Sequence, residues 1–193
     1  MKITPSQFAY LYIQRGEVAH AYAEGFDSWK RAFEESLNEI MGTYEPALPA
    51  KVTEILDVGG GLGGLGVPLS RRYPAARYSV VDGFADAPVV WQHRKTFSSA
   101  TESAGFLTAN DVHNFRLYSP EFETFDSKFD LVISTASWCF HYPPQVYLDR
   151  ILPALAPGAV VILDVRRFKY WENVLDEAFK VEHISLEEGH KYR

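Results

Sequence analysis

The chain has 193 residues, of which 47% are hydrophobic and 23% charged, and this composition predicts a folded domain with a hydrophobic core rather than a disordered chain. Its net charge of −6 argues against a protein that binds nucleic-acid phosphates, because such binding ordinarily uses a basic surface. The single cysteine, Cys139, excludes an internal disulfide and a cysteine-rich zinc site, and so favours a reducing compartment.

Secretion and membrane insertion are not indicated by the sequence. Residues 1–14 contain one lysine followed by mixed aromatic and polar residues, without the long apolar core of a signal peptide. No run of about 18 apolar residues, which a membrane-spanning helix needs, occurs in the chain. The sequence therefore predicts a soluble, cytoplasmic protein without a membrane partner.

Residues 1–50 are predicted to form an N-terminal helical segment. In the run Thr4-Pro5-Ser6-Gln7, the threonine can cap a helix, the proline suits its first position and the glutamine can complete a capping box. A second helix, ending near Gly42, is indicated by apolar residues at three- and four-residue spacing: Phe26, Trp29, Phe33, Leu37 and Ile40. The aromatic residues of this segment are compatible both with a lid over a substrate and with ordinary core packing.

Residues 51–193 change to alternating strands and helices. The predicted strands are largely apolar runs, at Glu54–Val58, Arg77–Val81, Phe115–Tyr118, Asp130–Ser134, Ala159–Val165 and Lys180–Leu186. The predicted helices are Val67–Tyr73, Ala87–Ser98, Gln145–Leu155 and Lys169–Phe179. This order predicts an α/β fold of the Rossmann-like class, with a doubly wound, mostly parallel sheet whose ligands bind beyond the carboxyl ends of the strands.

The clearest chemical signal follows the first predicted strand. The sequence runs from Asp57 through a glycine-rich stretch that ends at Gly66 and opens a helix, whose N-terminal amides favour an anionic group. Asp82 ends the next strand about 20 residues later, where a carboxylate can accept hydrogen bonds from both hydroxyls of a ribose. Strand, glycines, helix and spaced acid together predict a nucleotide-binding site.

The glycine spacing alone leaves a dinucleotide-binding dehydrogenase as an alternative. Gly61, Gly63 and Gly66 satisfy the pattern G-x-G-x-x-G, which is the fingerprint of that class. Three features count against it: an acid, Asp57, directly before the glycines, a chain too short for the usual substrate domain, and a different signature in the later strands. These features favour another adenosine-containing ligand.

Four segments carry a family resemblance: residues 55–63 (ILDVGGGLG), 73–82 (YPAARYSVVD), 129–134 (FDLVIS) and 151–159 (ILPALAPGA). The first resembles the first motif of the class I S-adenosylmethionine-dependent methyltransferases, and the second resembles the small-molecule O-methyltransferases in particular. The third is similar to the fourth strand of that superfamily, and the last to the turn before its fifth strand. The resemblance spans residues 52–165 and implies S-adenosyl-L-methionine as the cofactor.

The resemblance also implies a role for individual residues around the cofactor. The implied contacts are Asp57, Gly59, Gly60, Gly61 and Gly63 for the methionine end, Asp82 for the ribose, Gly83 and Phe84 for the adenine, Ser119 where the family often has an acid near the adenine, and Thr135 and Ala136 near the sulfonium. Metal-dependent catechol-type members carry an acid after the fourth strand and an Asp-Asn pair after the fifth. The runs Ser134-Thr135-Ala136 and Asp164-Val165-Arg166 do not match that pattern, so no metal is predicted.

His141 is the predicted catalytic base or substrate-binding residue. It lies just after the fourth strand, where the transferable methyl group is expected, and a histidine is well matched to proton transfer at neutral pH. A histidine packed among aromatic residues is an equally open interpretation. Arg166, Arg167 and Lys169 follow the fifth strand and either attract an acidic substrate or are solvated surface charges.

The sequence therefore predicts a methyltransferase that acts on an oxygen of a small molecule, such as a sugar or another polyhydroxy metabolite. An RNA or protein methyltransferase that uses the basic residues after the fifth strand is the second interpretation, although the negative net charge makes nucleic acid a less favoured partner. A non-catalytic module that binds S-adenosylmethionine or another nucleotide is the third.

Overall fold

A five-stranded parallel sheet forms the centre of the molecule. The computed structural model of the protein describes residues 1–7, 25–84, 99–119, 125–166 and 171–182. Within these ranges the strands are β1 (Glu54–Val58), β2 (Arg77–Val81), β3 (Phe115–Tyr118), β4 (Phe129–Ser134) and β5 (Leu155–Leu163). Their spatial order is β3-β2-β1-β4-β5, with parallel pairing throughout, which confirms the predicted doubly wound α/β class.

The strand order creates a crevice beside β1. The chain moves outward from β1 to β2 and β3, then returns to the other side of β1 for β4 and β5. Connections on the two sides of β1 therefore leave toward opposite faces of the sheet, and the carboxyl ends of β1 and β4 border a topological switch point. The glycine-rich stretch after β1 opens at this edge, where the sequence places the ligand.

Helices pack on the described part of the sheet. They are α1 (Phe26–Tyr44), α2 (Gly66–Arg72), α3 (Ala100–Ala109), α4 (Gln145–Ile151) and α5 (Glu172–Ala178). Apolar residues fill both sides of the sheet, with Ile55 and Leu131 facing one cluster and Leu56 and Val132 facing the other. Burial on both faces explains why the strands are nearly continuous apolar runs.

Several predicted boundaries need correction. The helix predicted at Gln145–Leu155 ends at Ile151 and is followed by a short 3₁₀ turn, Leu152–Ala154, because Pro153 supplies no amide donor. The strand predicted at Ala159–Val165 begins at Leu155, and its ladder is irregular between Leu155 and Val160, where the predicted Pro-Gly turn interrupts the pairing.

Three other elements differ from prediction or lie wholly or partly outside the described residues. Helix α3 was not predicted, because its sequence ATESAGFLTA lacks a strong apolar stripe; it begins at Ser99, whose hydroxyl accepts a hydrogen bond from the amide of Glu102. The predicted helix 87–98 lies outside the described residues. Of the predicted strand 180–186, only residues 180–182 are described, and they are not in a strand.

The predicted helix start at Thr4 is confirmed. Residues 5–7 are helical, the Gln7 amide donates to Thr4 Oγ1 at 3.3 Å, and the Thr4 amide donates to Gln7 Oε1 at 2.9 Å. These reciprocal bonds are those of a capping box. The structure describes no helix long and apolar enough to cross a membrane within the ranges given above.

Helix α1 belongs to the same core as the sheet. Trp29, Phe33 and Leu37 are at most 2% exposed, and they join the cluster that contains Ile55 of β1. The rings of Trp29 and Phe33 stack with their centroids 5.5 Å apart. A Cβ atom on Gly64 would lie 3.0 Å from Cζ of Phe33, so α1 packs directly on the glycine-rich loop.

Two buried serines on the sheet should respond oppositely to substitution by alanine. The Ser79 hydroxyl has no hydrogen-bond partner among the described residues, so we expect Ser79→Ala to stabilise the fold by about 1 kcal/mol. The Ser134 hydroxyl donates to the Val58 carbonyl at 2.7 Å and accepts from the Trp138 amide at 2.8 Å. We expect Ser134→Ala to cost about 2–3 kcal/mol.

Chemical denaturation of the two variants compares them directly, because both side chains are fully buried and lose the same atom. Equal losses of unfolding free energy would contradict the hydrogen-bond assignment.

Candidate active site

A buried carboxylate ends β1. Asp57 is 2% exposed and accepts a hydrogen bond of 2.5 Å from the Tyr78 hydroxyl. Burial, together with the nearby Asp57, raises the pKa of Tyr78 well above its usual value, so the phenol stays protonated and remains a donor. A Cβ on Gly60 would lie 2.6 Å from the Asp57 carboxyl group, and the carboxylate therefore lies directly under the glycine-rich turn.

The turn after β1 bends through backbone conformations that favour glycine. Gly59 has φ of 71° and Gly61 has φ of 59°, in the left-handed region that other residues rarely adopt. The Gly59 amide donates to the Val81 carbonyl at 2.7 Å, and a Cβ at this position would overlap the Ser137 side chain after β4. Gly63 closes the turn by donating to the Gly60 carbonyl at 2.8 Å.

Asp82 links the ends of β1 and β2. Its Oδ2 accepts a hydrogen bond of 2.6 Å from the Gly61 amide. Burial raises the pKa of Asp82 to about 6, and the amides of Gly61 and Gly83 partly oppose this rise. The carboxylate is therefore ionised at neutral pH but incompletely solvated, and further hydrogen-bond donors would stabilise it.

The residues predicted to lie beside the adenine are at the same edge of the sheet, but they differ in how far they are exposed to solvent. Gly83 is partly exposed, whereas Phe84 is 2% exposed and packs in the core cluster that includes α1. Ser119 follows β3 and is 8% exposed. Ser103 of α3 also reaches this region, because its hydroxyl donates to the Gly61 carbonyl at 3.0 Å. No sequence pattern indicated this contact, since α3 was not predicted.

The loop after β4 borders the other side of the crevice. Thr135 is partly exposed and Ala136 is exposed. Two non-glycine residues of this loop, Ala136 and Cys139, have positive φ of 51° and 65°, a conformation that costs such residues free energy. Burial raises the pKa of the Cys139 thiol to about 12, so it is protonated at neutral pH and is not an activated nucleophile.

His141 lies at the exposed rim of this loop. Its amide donates to the Ser137 carbonyl at 2.8 Å, and its ring contacts Phe140 edge to face with centroids 5.0 Å apart. The guanidinium of Arg166 lies 5.0 Å from the centroid of the same Phe140 ring. The imidazole is thus accessible to a ligand while its backbone is fixed.

A cluster that sequence reasoning missed joins α1 to the ends of β4 and β5. The Tyr44 hydroxyl donates to Asp164 Oδ1 at 3.0 Å and lies 2.9 Å from Thr135 Oγ1. Because a phenol has one proton, the Thr135 hydroxyl is the donor of the second bond. Asp164 Oδ2 accepts from the Ala136 amide at 3.0 Å. Tyr44 and Asp164 are 120 positions apart, so no local pattern connects them.

The described residues include no group of three or more His, Cys, Asp or Glu side chains arranged to hold a metal ion. The two carboxylates at the ends of β1 and β2 each accept a hydrogen bond from a protein donor, Tyr78 for Asp57 and the Gly61 amide for Asp82. Each carboxylate retains acceptor capacity for further hydrogen-bond donors.

The fold resembles that of solved methyltransferases. No family model matches the sequence, and no curated protein matches it. StiE O-MT (residues 942–1257) matches with a TM-score of 0.62 and 13% identity over 92% of this chain and 60% of that one. Precorrin-6y C5,15-methyltransferase from Geobacter metallireducens GS-15 matches with a TM-score of 0.52 and 13% identity over 69% and 65% of the two chains.

A third solved structure is coclaurine N-methyltransferase bound to N-methylheliamine and SAH, with a TM-score of 0.50 and 12% identity over 68% of this chain and 35% of that one. This chain thus spans less than two thirds of the length of each of these three proteins. Strand order, glycine-rich turn and structural similarity agree: the chain has the fold of the S-adenosylmethionine-dependent class I methyltransferases.

Proposed function

We propose that the protein is an S-adenosylmethionine-dependent methyltransferase that transfers a methyl group to an oxygen of a small molecule. The observation that carries the proposal is the pair of carboxylates, Asp57 and Asp82, at the carboxyl ends of adjacent strands and bridged by a glycine turn whose amide binds one of them. The similarity in fold to solved methyltransferases supports the same activity.

The residues present fit S-adenosylmethionine. Asp82 has a pKa raised by burial, so two ribose hydroxyls that donate to it would replace the missing solvation. The turn from Gly59 to Gly63 would hold the methionine end with Asp57, and Gly83, Phe84 and Ser119 would border the adenine. Thr135 and Ala136, at the end of β4, would lie near the sulfonium.

The cofactor, when bound, supplies an electrophilic methyl group. The chain must then place the acceptor in line with the S–CH₃ bond and exclude water. Alignment of the two reacting groups is the main source of rate acceleration in such a transfer. We propose that His141 takes the proton of the acceptor hydroxyl, because its imidazole is exposed at the end of β4 and a histidine is suited to this role near neutral pH.

We also propose that the two parts of the chain have different roles. Residues 1–50 form the cover of the substrate side, and residues 51–193 bind the cofactor. The Tyr44 hydroxyl supports this division, because it extends from the end of α1 to Thr135 and Asp164 at the carboxyl ends of β4 and β5. The net charge of −6 supports a neutral or cationic small molecule, such as a polyhydroxy metabolite, over a nucleic acid.

Calorimetric titration of the full chain with S-adenosylhomocysteine and with NADH tests the cofactor. We expect micromolar binding of S-adenosylhomocysteine, a large loss of affinity in Asp57→Ala, and no comparable binding of NADH. A preference for NADH would contradict the proposal and restore the dehydrogenase interpretation.

Methyl transfer from labelled S-adenosylmethionine to a panel of sugars, polyols, phenols and amines, with RNA as a further substrate, tests the reaction. We expect label in a hydroxylated compound, and lower turnover in His141→Ala with unchanged S-adenosylhomocysteine affinity. Full turnover in His141→Ala would remove this residue from the mechanism. Label only in RNA, with strongly salt-sensitive binding, would support the nucleic-acid alternative instead.

A further inference from the structure

Both oxygens of the Asp164 carboxylate accept hydrogen bonds. The Tyr44 hydroxyl donates to Oδ1 and the Ala136 amide to Oδ2, both at 3.0 Å. The Asp164 amide donates to the Ser134 carbonyl at 3.1 Å, which fixes the backbone at the end of β5. With its backbone anchored and both oxygens engaged, the carboxyl group has one orientation while its residue stays partly exposed.

Two residues that contact Asp164 have a backbone conformation or an environment that costs free energy. Ala136 adopts φ of 51°, in a region that is unfavourable for a non-glycine residue, and in this conformation its amide donates to Asp164. Burial raises the pKa of Tyr44 far above its usual value, and the charge of Asp164 adds to the rise. The phenol therefore stays protonated and remains a hydrogen-bond donor. Backbone strain of the kind seen at Ala136 is concentrated at functional sites.

The position of this carboxylate is beside the cofactor crevice. The Tyr44 phenol also contacts Thr135 at 2.9 Å, and the charge of Asp57 acts on the same phenol. Tyr44 thus joins the end of β4 to the carboxylate at the end of β5. The bond from the Ala136 amide places Asp164 beside the two residues that are proposed to lie near the sulfonium, Thr135 and Ala136.

We propose that Asp164 binds the methyl acceptor, accepting a hydrogen bond from an O–H or N–H group that neighbours the attacking atom and so aligning that atom with the S–CH₃ bond. The inference rests on the proposed function and narrows its substrate class. Hydroxyl- and ammonium-bearing acceptors are favoured, and acceptors with a carboxylate or phosphate next to the attacking atom are repelled. Tyr44 acts through Asp164 and is a positioning residue.

Sinefungin provides a probe that needs no knowledge of the acceptor. In this compound a carbon that bears a primary amine replaces the methylated sulfur of the cofactor, so its ammonium group points to where the methyl group leaves. If Asp164 lies there, the protein should bind sinefungin about tenfold more tightly than S-adenosylhomocysteine. The preference should weaken as salt is added.

Calorimetric titration of the full chain with both compounds gives a ratio of dissociation constants for each variant. We expect Asp164→Asn, which keeps the shape of the side chain, to bring the ratio close to one without changing the affinity for S-adenosylhomocysteine. Tyr44→Phe should give an intermediate ratio. The control is Asp130→Asn, at the other end of β4, where the carboxylate binds Thr53; its ratio should equal that of the wild type.

The outcomes separate the two proposals. Equal binding of the two compounds by the wild type, or an unchanged ratio in Asp164→Asn, overturns the inference and leaves the proposed function standing. Binding of neither compound by the wild type overturns the proposed function, and the inference with it. An altered ratio in Tyr44→Phe with normal thermal unfolding supports positioning through Asp164 rather than a general structural role.

Discussion

Replacing Asp82 with asparagine is expected to stabilise the ligand-free protein at pH 7.5 and to weaken its binding of S-adenosylhomocysteine by at least tenfold. Burial raises the pKa of Asp82 to about 6 from the model-peptide value of 3.8, so its ionised form is disfavoured in the folded state. The difference corresponds to roughly 3 kcal/mol at most, and the partial exposure of the side chain leaves a smaller net effect.

The dependence on pH has a definite sign. Because the folded-state pKa is raised, the contribution of Asp82 to stability is fully present below about pH 4 and is lost as the pH rises through about 6. Ligand affinity changes in the opposite direction, because only the ionised carboxylate can accept hydrogen bonds from both ribose hydroxyls. Wild-type affinity should therefore fall below about pH 6, and the affinity of Asp82→Asn should not follow this titration.

Asp130→Asn is the matched control for this prediction. Asp130 lies at the opposite end of the sheet, where its Oδ2 accepts hydrogen bonds from the amides of Thr53 and Glu54 and from the Thr53 hydroxyl. These bonds lower the pKa of Asp130 against the opposing effect of burial. The same substitution there should reduce stability at pH 7.5 and leave ligand affinity unchanged, as thermal unfolding and calorimetry can show. A loss of stability in Asp82→Asn would contradict the assignment.

Gly59→Ala is expected to be the most damaging single change in the glycine-rich turn. The residue has φ of 71°, which costs alanine about 1–2 kcal/mol. The new methyl group would also overlap the Ser137 side chain, which adds about 1–3 kcal/mol of overpacking. The variant should lose several kcal/mol of unfolding free energy, and any folded fraction should bind S-adenosylhomocysteine poorly.

Two comparisons separate backbone strain from crowding at Gly59. Gly158 has a similar φ of 77°, but a Cβ there would meet nothing within 4 Å, so Gly158→Ala should show the strain alone. In the double variant Gly59→Ala/Ser137→Gly the crowding is removed, and stability should return to about that of Gly158→Ala. Equal losses in the two single variants, measured by urea denaturation, would mean that Ser137 moves aside freely.

The parts of the fold that could be predicted depend on patterns that are local in sequence. Buried parallel strands such as β1 and β4 are short apolar runs, and the turn after β1 is marked by glycines and by Asp57. Helix α3 escaped prediction because its residues are small and weakly amphipathic. Packing against the glycines was also not predictable, since Ser137 and Phe33 approach Gly59 and Gly64 from distant parts of the chain.

The candidate site was predictable on its cofactor side and less so on its acceptor side. Asp57 and Asp82 are tied to strand ends, and strand ends can be located from the sequence. The contact between Tyr44 and Asp164 depends instead on how α1 packs against β4 and β5, and 120 positions separate the two residues. Tyr44 lies beyond Gly42, near which the sequence predicts the helix to end, so the amphipathic pattern did not include it.

The burial of α1 limits how a substrate can reach this site. Lifting the helix would expose Trp29, Phe33 and Leu37, each almost completely buried, and hydration of each such side chain costs about 1.5–3 kcal/mol. It would also break the bond from Tyr44 to Asp164. We therefore expect α1 to stay in place during ligand exchange, so that a ligand enters and leaves the proposed site without displacement of the helix.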